Sequence, residues 1–157
     1  MKKTISINLN DELLTVDVEP NDTLLEVLRD KLGIKSTKVG CDRGDCGTCT
    51  VLLDGKSVRS CLVLAIEVDG QSVTTVEGLC REAPTELQKA FVEQNSFQCG
   101  FCEPGIVMSA TELLRNNPSP NQKEVQEAIA GNLCRCTGYQ SIIDAILSVS
   151  KNSKEGR

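Results

Sequence analysis

GCDRGDCGTC, residues 40–49, is the stretch from which the rest of the chain can be read. It places Cys41, Cys46 and Cys49 in one short loop, and Cys61 follows with eleven residues between it and Cys49. Several thiols in so small a space point to metal ligation, because the thiolate is the metal-binding form of cysteine. Gly40, Gly44 and Gly47 let the backbone bend tightly and turn its N–H groups toward the sulfurs, which stabilises negative charge. Asp42 and Asp45 are expected to face outward, since an inward carboxylate would repel an anionic site.

Upstream of this loop, Ile5, Ile7 and Leu9 alternate, Asn10-Asp11 turns the chain, and Leu14, Val16 and Val18 alternate again. That pattern predicts a β-hairpin with one buried face. Thr23-x-x-Glu26 has the form of a capping box, and Leu25, Leu28 and Leu32 recur at helical spacing until Gly33. Downstream, Val51-Leu52-Leu53, Asp54-Gly55 and Ser57–Ser60 predict a second hairpin leading into Cys61, and Val73–Val76 a last strand. The order strand, strand, helix suggests a β-grasp arrangement, with the helix laid across a mixed sheet.

The chain has 157 residues, nine cysteines, no histidine and a net charge of −5. Met1-Lys2-Lys3 runs directly into the first alternating segment, with no signal peptide and no long apolar stretch, so a cytoplasmic protein is expected. In that compartment an odd set of cysteines argues against a disulfide framework. Acidic charge argues against nucleic acid or an anionic membrane as partner. The lack of histidine removes Cys/His zinc sites, Rieske-type ligation and histidine acid–base chemistry, so no substrate chemistry is expected on this chain alone. The Cys41-x4-Cys46-x2-Cys49…Cys61 spacing matches the plant-type ferredoxin pattern for a [2Fe–2S] cluster. The alternative, a structural zinc, favours paired C-x2-C knuckles, of which only one is present here.

The segment 77–83 lacks periodicity, so domains at 1–77 and 78–157 are expected. Cys80 lies in this segment without a matching partner and reads as an ordinary thiol. Pro84 opens a helix carrying Leu87, Ala90, Phe91 and Gln94 on one face. QCGFCEPG, residues 98–105, precedes a helix with Ile106, Val107, Ala110, Leu113 and Leu114. Val125, Ala128 and Ile129 mark a third helix. NLCRCTGY, residues 132–139, leads into a fourth with Ile142, Ile143, Ile146 and Val149, and 151–157 reads as a disordered tail. Four short helices in two pairs predict a pseudo-twofold bundle, giving an α+β chain overall. Cys99, Cys102, Cys134 and Cys136 each precede a helix N-terminus, whose free N–H groups and partial positive charge suit an anionic metal site. Spacing alone leaves open which cluster forms there.

With all three motifs read (GCDRGDCGTC, QCGFCEPG and GNLCRCTGY), the chain resembles the small iron–sulfur subunit of the molybdenum hydroxylases, the xanthine dehydrogenase and CO dehydrogenase-like family, to about Ser150. The resemblance implies a β-grasp, ferredoxin-like [2Fe–2S] domain followed by a four-helix [2Fe–2S]-binding domain. It implies that Cys41, Cys46, Cys49 and Cys61 hold the cluster on the flavin side, and that Cys99, Cys102, Cys134 and Cys136 hold the one on the molybdenum side. Gln98 and Cys136 are implied to contact the molybdopterin. The implied partners are a molybdenum–pterin large subunit and an FAD-binding medium subunit, in a dimer of heterotrimers. The implied function is an electron relay from molybdenum through two [2Fe–2S] clusters to FAD. Glu103 stands where these proteins usually carry Thr or Ser before Pro-Gly, a change expected to weaken the N-cap of the following helix.

Overall fold

A computed structural model describes residues 2–155, with side chains described as far as Ser150. Strand β1 (Lys3–Leu9) pairs antiparallel with β2 (Glu12–Val18), with Ile5 opposite Val16 and Ile7 opposite Leu14. Asn10 (φ 52) and Asp11 (φ 67) both adopt the left-handed conformation that a tight hairpin turn requires. Strand β3 (Thr50–Leu53) and β4 (Lys56–Arg59) form the second hairpin around Asp54 and Gly55. The short β5 (Ser72–Thr74) runs parallel to β1 and antiparallel to β3, which sets the strand order β2-β1-β5-β3-β4. The sheet is therefore mixed, as the sequence pattern predicts.

Helix α1 begins at Leu24 behind a complete Thr23/Glu26 capping box. Its ordinary turn, Leu24–Glu26, passes into a wider π turn over Val27–Lys31, where the leucine spacing predicts a plain α-helix. The wider turn lets Leu24, Val27 and Leu28 all reach the sheet, and all three are buried. They join Ile5, Ile7, Leu9, Val18, Val51, Ala65, Val68 and Val73 in the first core.

A second core lies among four helices: α3 (Glu86–Glu93), α4 (Glu103–Asn116), α5 (Gln122–Ile129) and α6 (Gln140–Glu155). Its centre is Leu87, Phe91, Ile106, Val125, Ile142 and Ile146. Capping boxes at Thr85/Gln88 and Asn121/Glu124 start α3 and α5. Phe91 and Phe97 meet edge to face, with centroids 5.0 Å apart.

Further sequence-based expectations change. The last strand, expected over Val73–Val76, ends at Thr74. The segment 77–83, expected to be irregular, overlaps a one-turn helix, α2 (Val76–Leu79), whose Val76 and Leu79 pack on the helical core. Helix α6 extends to Glu155, so positions 151–155 are helical backbone where a disordered tail was expected. Residues 156–157 lie outside the described residues. Among the described residues no helix is long and apolar enough to cross a membrane.

Candidate metal centres

The loop 40–49 wraps round Cys41. Backbone N–H groups of Arg43, Asp45 and Cys46 lie 3.5, 3.2 and 3.4 Å from its sulfur. Those donors, Arg43 and Cys46 foremost, lower the Cys41 thiol to about 7. Asp42 (φ 55), Gly44 (φ 89) and Gly47 (φ 73) supply the left-handed bends that turn the N–H groups inward. Asp42 and Asp45 face solvent, as predicted, and Asp45 pairs with the Arg43 guanidinium. Cys49 and Cys61 arrive from the start of β3 and the end of β4, both buried, with sulfurs 3.4 Å apart. Burial, together with Cys49, pushes the Cys61 thiol up to about 12. The Cys46 sulfur lies 3.2 Å from the Thr48 hydroxyl.

The second group is assembled from two distant loops. Gly100 (φ 76) bends the chain between Cys99 and Cys102. Cys102 is buried and forms the N-cap of α4, so position 103 is already the first helical residue. Glu103 therefore does not occupy the capping position its sequence context suggests; it sits in the first turn, half-buried, and burial raises its carboxyl. Cys99 and Cys136 are exposed, with sulfurs 3.4 Å apart. The Cys134 sulfur accepts from the Thr137 hydroxyl at 3.1 Å and adjoins Cys102. Burial and Cys134 push the Cys102 thiol up to about 12. Burial works against the Cys134 thiolate, but the hydrogen bonds from Thr137 outweigh it and lower the group.

Each set of four thus divides into two close pairs: Cys41 with Cys46 and Cys49 with Cys61, Cys99 with Cys136 and Cys102 with Cys134. Among the described residues no three ligands close on a single ion. A single tetrahedral zinc would need all four sulfurs around one point. Two pairs fit a two-iron cluster, with one pair to each iron, and the backbone and hydroxyl donors at the sulfurs fit its negative charge. Both cysteine groups are therefore suited to [2Fe–2S].

Gln98 is exposed beside Cys99, and its amide has no hydrogen-bond partner among the described residues. Cys80 lies outside both groups and donates to the Val76 carbonyl at 3.2 Å.

Sequence reasoning missed the residues that join the two groups. Asn132, 1 % exposed, donates from Nδ2 to the Gly47 carbonyl (3.0 Å) and to Thr50 Oγ1 (3.3 Å), and its Oδ1 accepts from Ser109 Oγ on α4 (2.8 Å). The Leu133 N–H donates to the Cys46 carbonyl at 2.8 Å. Arg59 donates to Thr50 Oγ1 (3.1 Å) and to the Gly131 carbonyl (2.8 Å). A Cβ at Gly47 would strike the Gly131 carbonyl, and one at Gly105 the Gly47 carbonyl, so three backbones meet without side chains between them. Tyr139 accepts from the Cys134 N–H at 2.7 Å and donates to the Asn132 carbonyl at 3.0 Å, locking the loop that carries Cys134. Asn132, Thr137 and Tyr139 all lie within the GNLCRCTGY motif. Only their neighbours in space reveal what they do.

Residues 7–75 match the family described as 2Fe-2S iron-sulfur cluster binding domain, and residues 75–147 the family described as [2Fe-2S] binding domain. The nicotine 6-hydroxylase small subunit of Paenarthrobacter nicotinovorans is 51% identical over 143 residues, covering 91% of this chain and 87% of that protein. The chain belongs to the small iron–sulfur subunits of the molybdenum hydroxylase family. The nicotinate dehydrogenase small FeS subunit of Eubacterium barkeri is 44% identical over 146 residues, covering 92% of this subunit and 93% of its relative. A chain of quinoline 2-oxidoreductase from Pseudomonas putida 86 superposes with a TM-score of 0.93 at 44% identity, covering 99% of this subunit and 98% of that chain. The subunit is an electron-transfer component of an oxidoreductase and carries two [2Fe–2S]-binding domains; its relatives belong to complexes with molybdopterin and FAD in partner subunits.

Proposed function

We propose that Cys41, Cys46, Cys49 and Cys61 hold the cluster that faces the FAD-binding subunit, and that Cys99, Cys102, Cys134 and Cys136 hold the one that faces the molybdenum–pterin subunit. The pairwise approach of the sulfurs within each group carries this reading. Bound there, the clusters supply one-electron chemistry between a two-electron oxidation at molybdenum and the flavin. The chain's own part is to hold the sulfurs. Backbone N–H groups at Cys41 and the hydroxyl of Thr137 at Cys134 stabilise negative charge on them.

Exposed Cys99 and Cys136 would lie at the seam with the molybdenum subunit. Gln98, whose amide has no partner among the described residues, would offer both a donor and an acceptor to the pterin, and Cys136 would approach it through sulfur. We further propose domains at 1–77 and 78–157, supported by the two separate cores, a cytoplasmic location, and assembly as a dimer of heterotrimers.

Metal analysis of the anaerobically purified chain tests the ligand assignment. Four irons and no stoichiometric zinc are expected, and Cys80→Ser should leave the iron content unchanged. Loss of half the iron in that variant would overturn the two quartets. For Gln98→Ala the clusters and fold should persist, with a slower substrate-driven reduction of the clusters in stopped flow or weaker pterin retention. Unchanged rates and unchanged cofactor content would return Gln98 to a purely structural place in its loop.

A further inference from the structure

We propose that Arg59 is the shared counter-cation of the two cluster sites, stabilising their reduced forms as well as joining their loops. This rests on the ligand assignment proposed above. Arg59 ends β4, two residues before Cys61. One guanidinium nitrogen donates to Thr50, the neighbour of Cys49, and another to the carbonyl of Gly131, three residues before Cys134. The same cation therefore ties the residue after Cys49 to the loop that leads into Cys134. Its Nε–H is buried and, among the described residues, is the one buried side-chain nitrogen or oxygen without a hydrogen-bond partner.

Among the described residues the charge has no carboxylate in ion-pair contact. Arg43 pairs with Asp45, Arg81 with Glu12, Lys31 with Asp22 and Lys89 with Glu86, but the groups that meet the Arg59 guanidinium are a hydroxyl and a carbonyl. A partly buried cation without a counter-ion is costly, and removing it from water strengthens its pull on any nearby anion. Four thiolates and two sulfides outweigh two ferric ions, so each loaded site is the missing anion. Adding one electron makes the site more negative by one charge without adding a proton, and Arg59 favours that added charge. If Arg59 only joined the two loops, the hydrogen bonds would matter and the charge would not.

The test uses the assembled complex with both clusters loaded, titrated with dithionite and followed by EPR so that each cluster is read separately. Arg59→Gln and Arg59→Met remove the charge with different side-chain volumes, Arg59→Lys keeps it without the fork, and Ser109→Ala weakens the same hydrogen-bond network without touching charge. Both neutral variants should shift the two midpoints negative. A tenfold change in either reduction equilibrium corresponds to about 59 mV for one electron. Arg59→Lys should hold both midpoints near wild type, and Ser109→Ala should lower the melting temperature while leaving them in place. Loss of cluster iron in the neutral variants with full iron in Arg59→Lys would express the same need for charge as retention. Wild-type midpoints in a neutral variant, or an equal shift in Arg59→Lys, would overturn the proposal.

Discussion

The two cysteine groups reach the same paired arrangement of sulfurs by different routes. In the first, residues 40–49 form most of the nest in one continuous loop, and N–H groups of that loop point at the Cys41 sulfur. In the second, Cys99 and Cys102 come from one loop and Cys134 and Cys136 from another, and the packing of four helices brings them together. Burial follows the opposite order from what locality suggests. The local nest keeps Cys49 and Cys61 inside, whereas the assembled one leaves Cys99 and Cys136 at the surface. A local nest can protect its ligands by itself, while a nest made by packing can open one edge to a partner.

The largest effect should come from removing a buried ligand on each side. Cys49→Ser and Cys102→Ser should each lose about half the iron. Only Cys102→Ser should also lower the melting transition of the helical part, because Cys102 is buried in its core. Iron analysis with circular dichroism would separate these outcomes, and equal destabilisation of both parts by both variants would break the contrast.

Gly47→Ala tests the junction between the nests. It forces a left-handed φ of 73° on alanine and drives a methyl group toward the Gly131 carbonyl. A loss of about 2–4 kcal/mol in stability is expected, with both clusters affected. Chemical denaturation with an iron count for each site measures it.

Asn132→Ala should cost about 2–3 kcal/mol, since it strands the Ser109 hydroxyl and weakens the bonding at the Gly47 carbonyl. The second cluster should become more labile than the first, which chelator challenge would show as a faster release of that half of the iron.

A smaller, pH-dependent effect belongs to the first side alone. Glu77 accepts from Ser36 and Thr75, tying the segment before residue 40 to the end of the sheet. Burial pushes its carboxyl up, but these hydrogen bonds outweigh burial and leave it below its ordinary value of 4.5. A depressed carboxylate contributes stability above its unfolded pKa and loses it as pH falls through the folded one. Wild type and Glu77→Gln should therefore differ by no more than about 1 kcal/mol near neutrality and converge as pH falls below 4.5 and through the depressed folded value. Thermal melts across that range would check the convergence.

Much of this was legible in the chain itself. Alternating Ile5, Ile7 and Leu9 fix which strand face is buried, and the cysteine spacings mark two groups of four thiols before any coordinates are known. What the sequence could not reveal is contact made by polar side chains far apart in the chain. Asn132 and Arg59 show no periodicity, and their partners at Gly47 and Gly131 become neighbours only once the two cores have packed. The π turn at Val27–Lys31 escaped for a related reason, because leucine spacing says which residues are apolar without saying how wide the turn must open to seat them. The Glu103 expectation failed by one position, since helix starts shift easily where a cysteine takes the cap.

Tyr139 is the only tyrosine of a chain that has no tryptophan, and its hydroxyl is clamped within the loop that carries Cys134. The molecule thus carries a single tyrosine emitter, seated in the loop of one of its two cysteine groups. Its emission should be quenched while the strongly absorbing cluster sits beside it and should recover when that loop lets go. The opening of that loop could then be timed in a cuvette without a label.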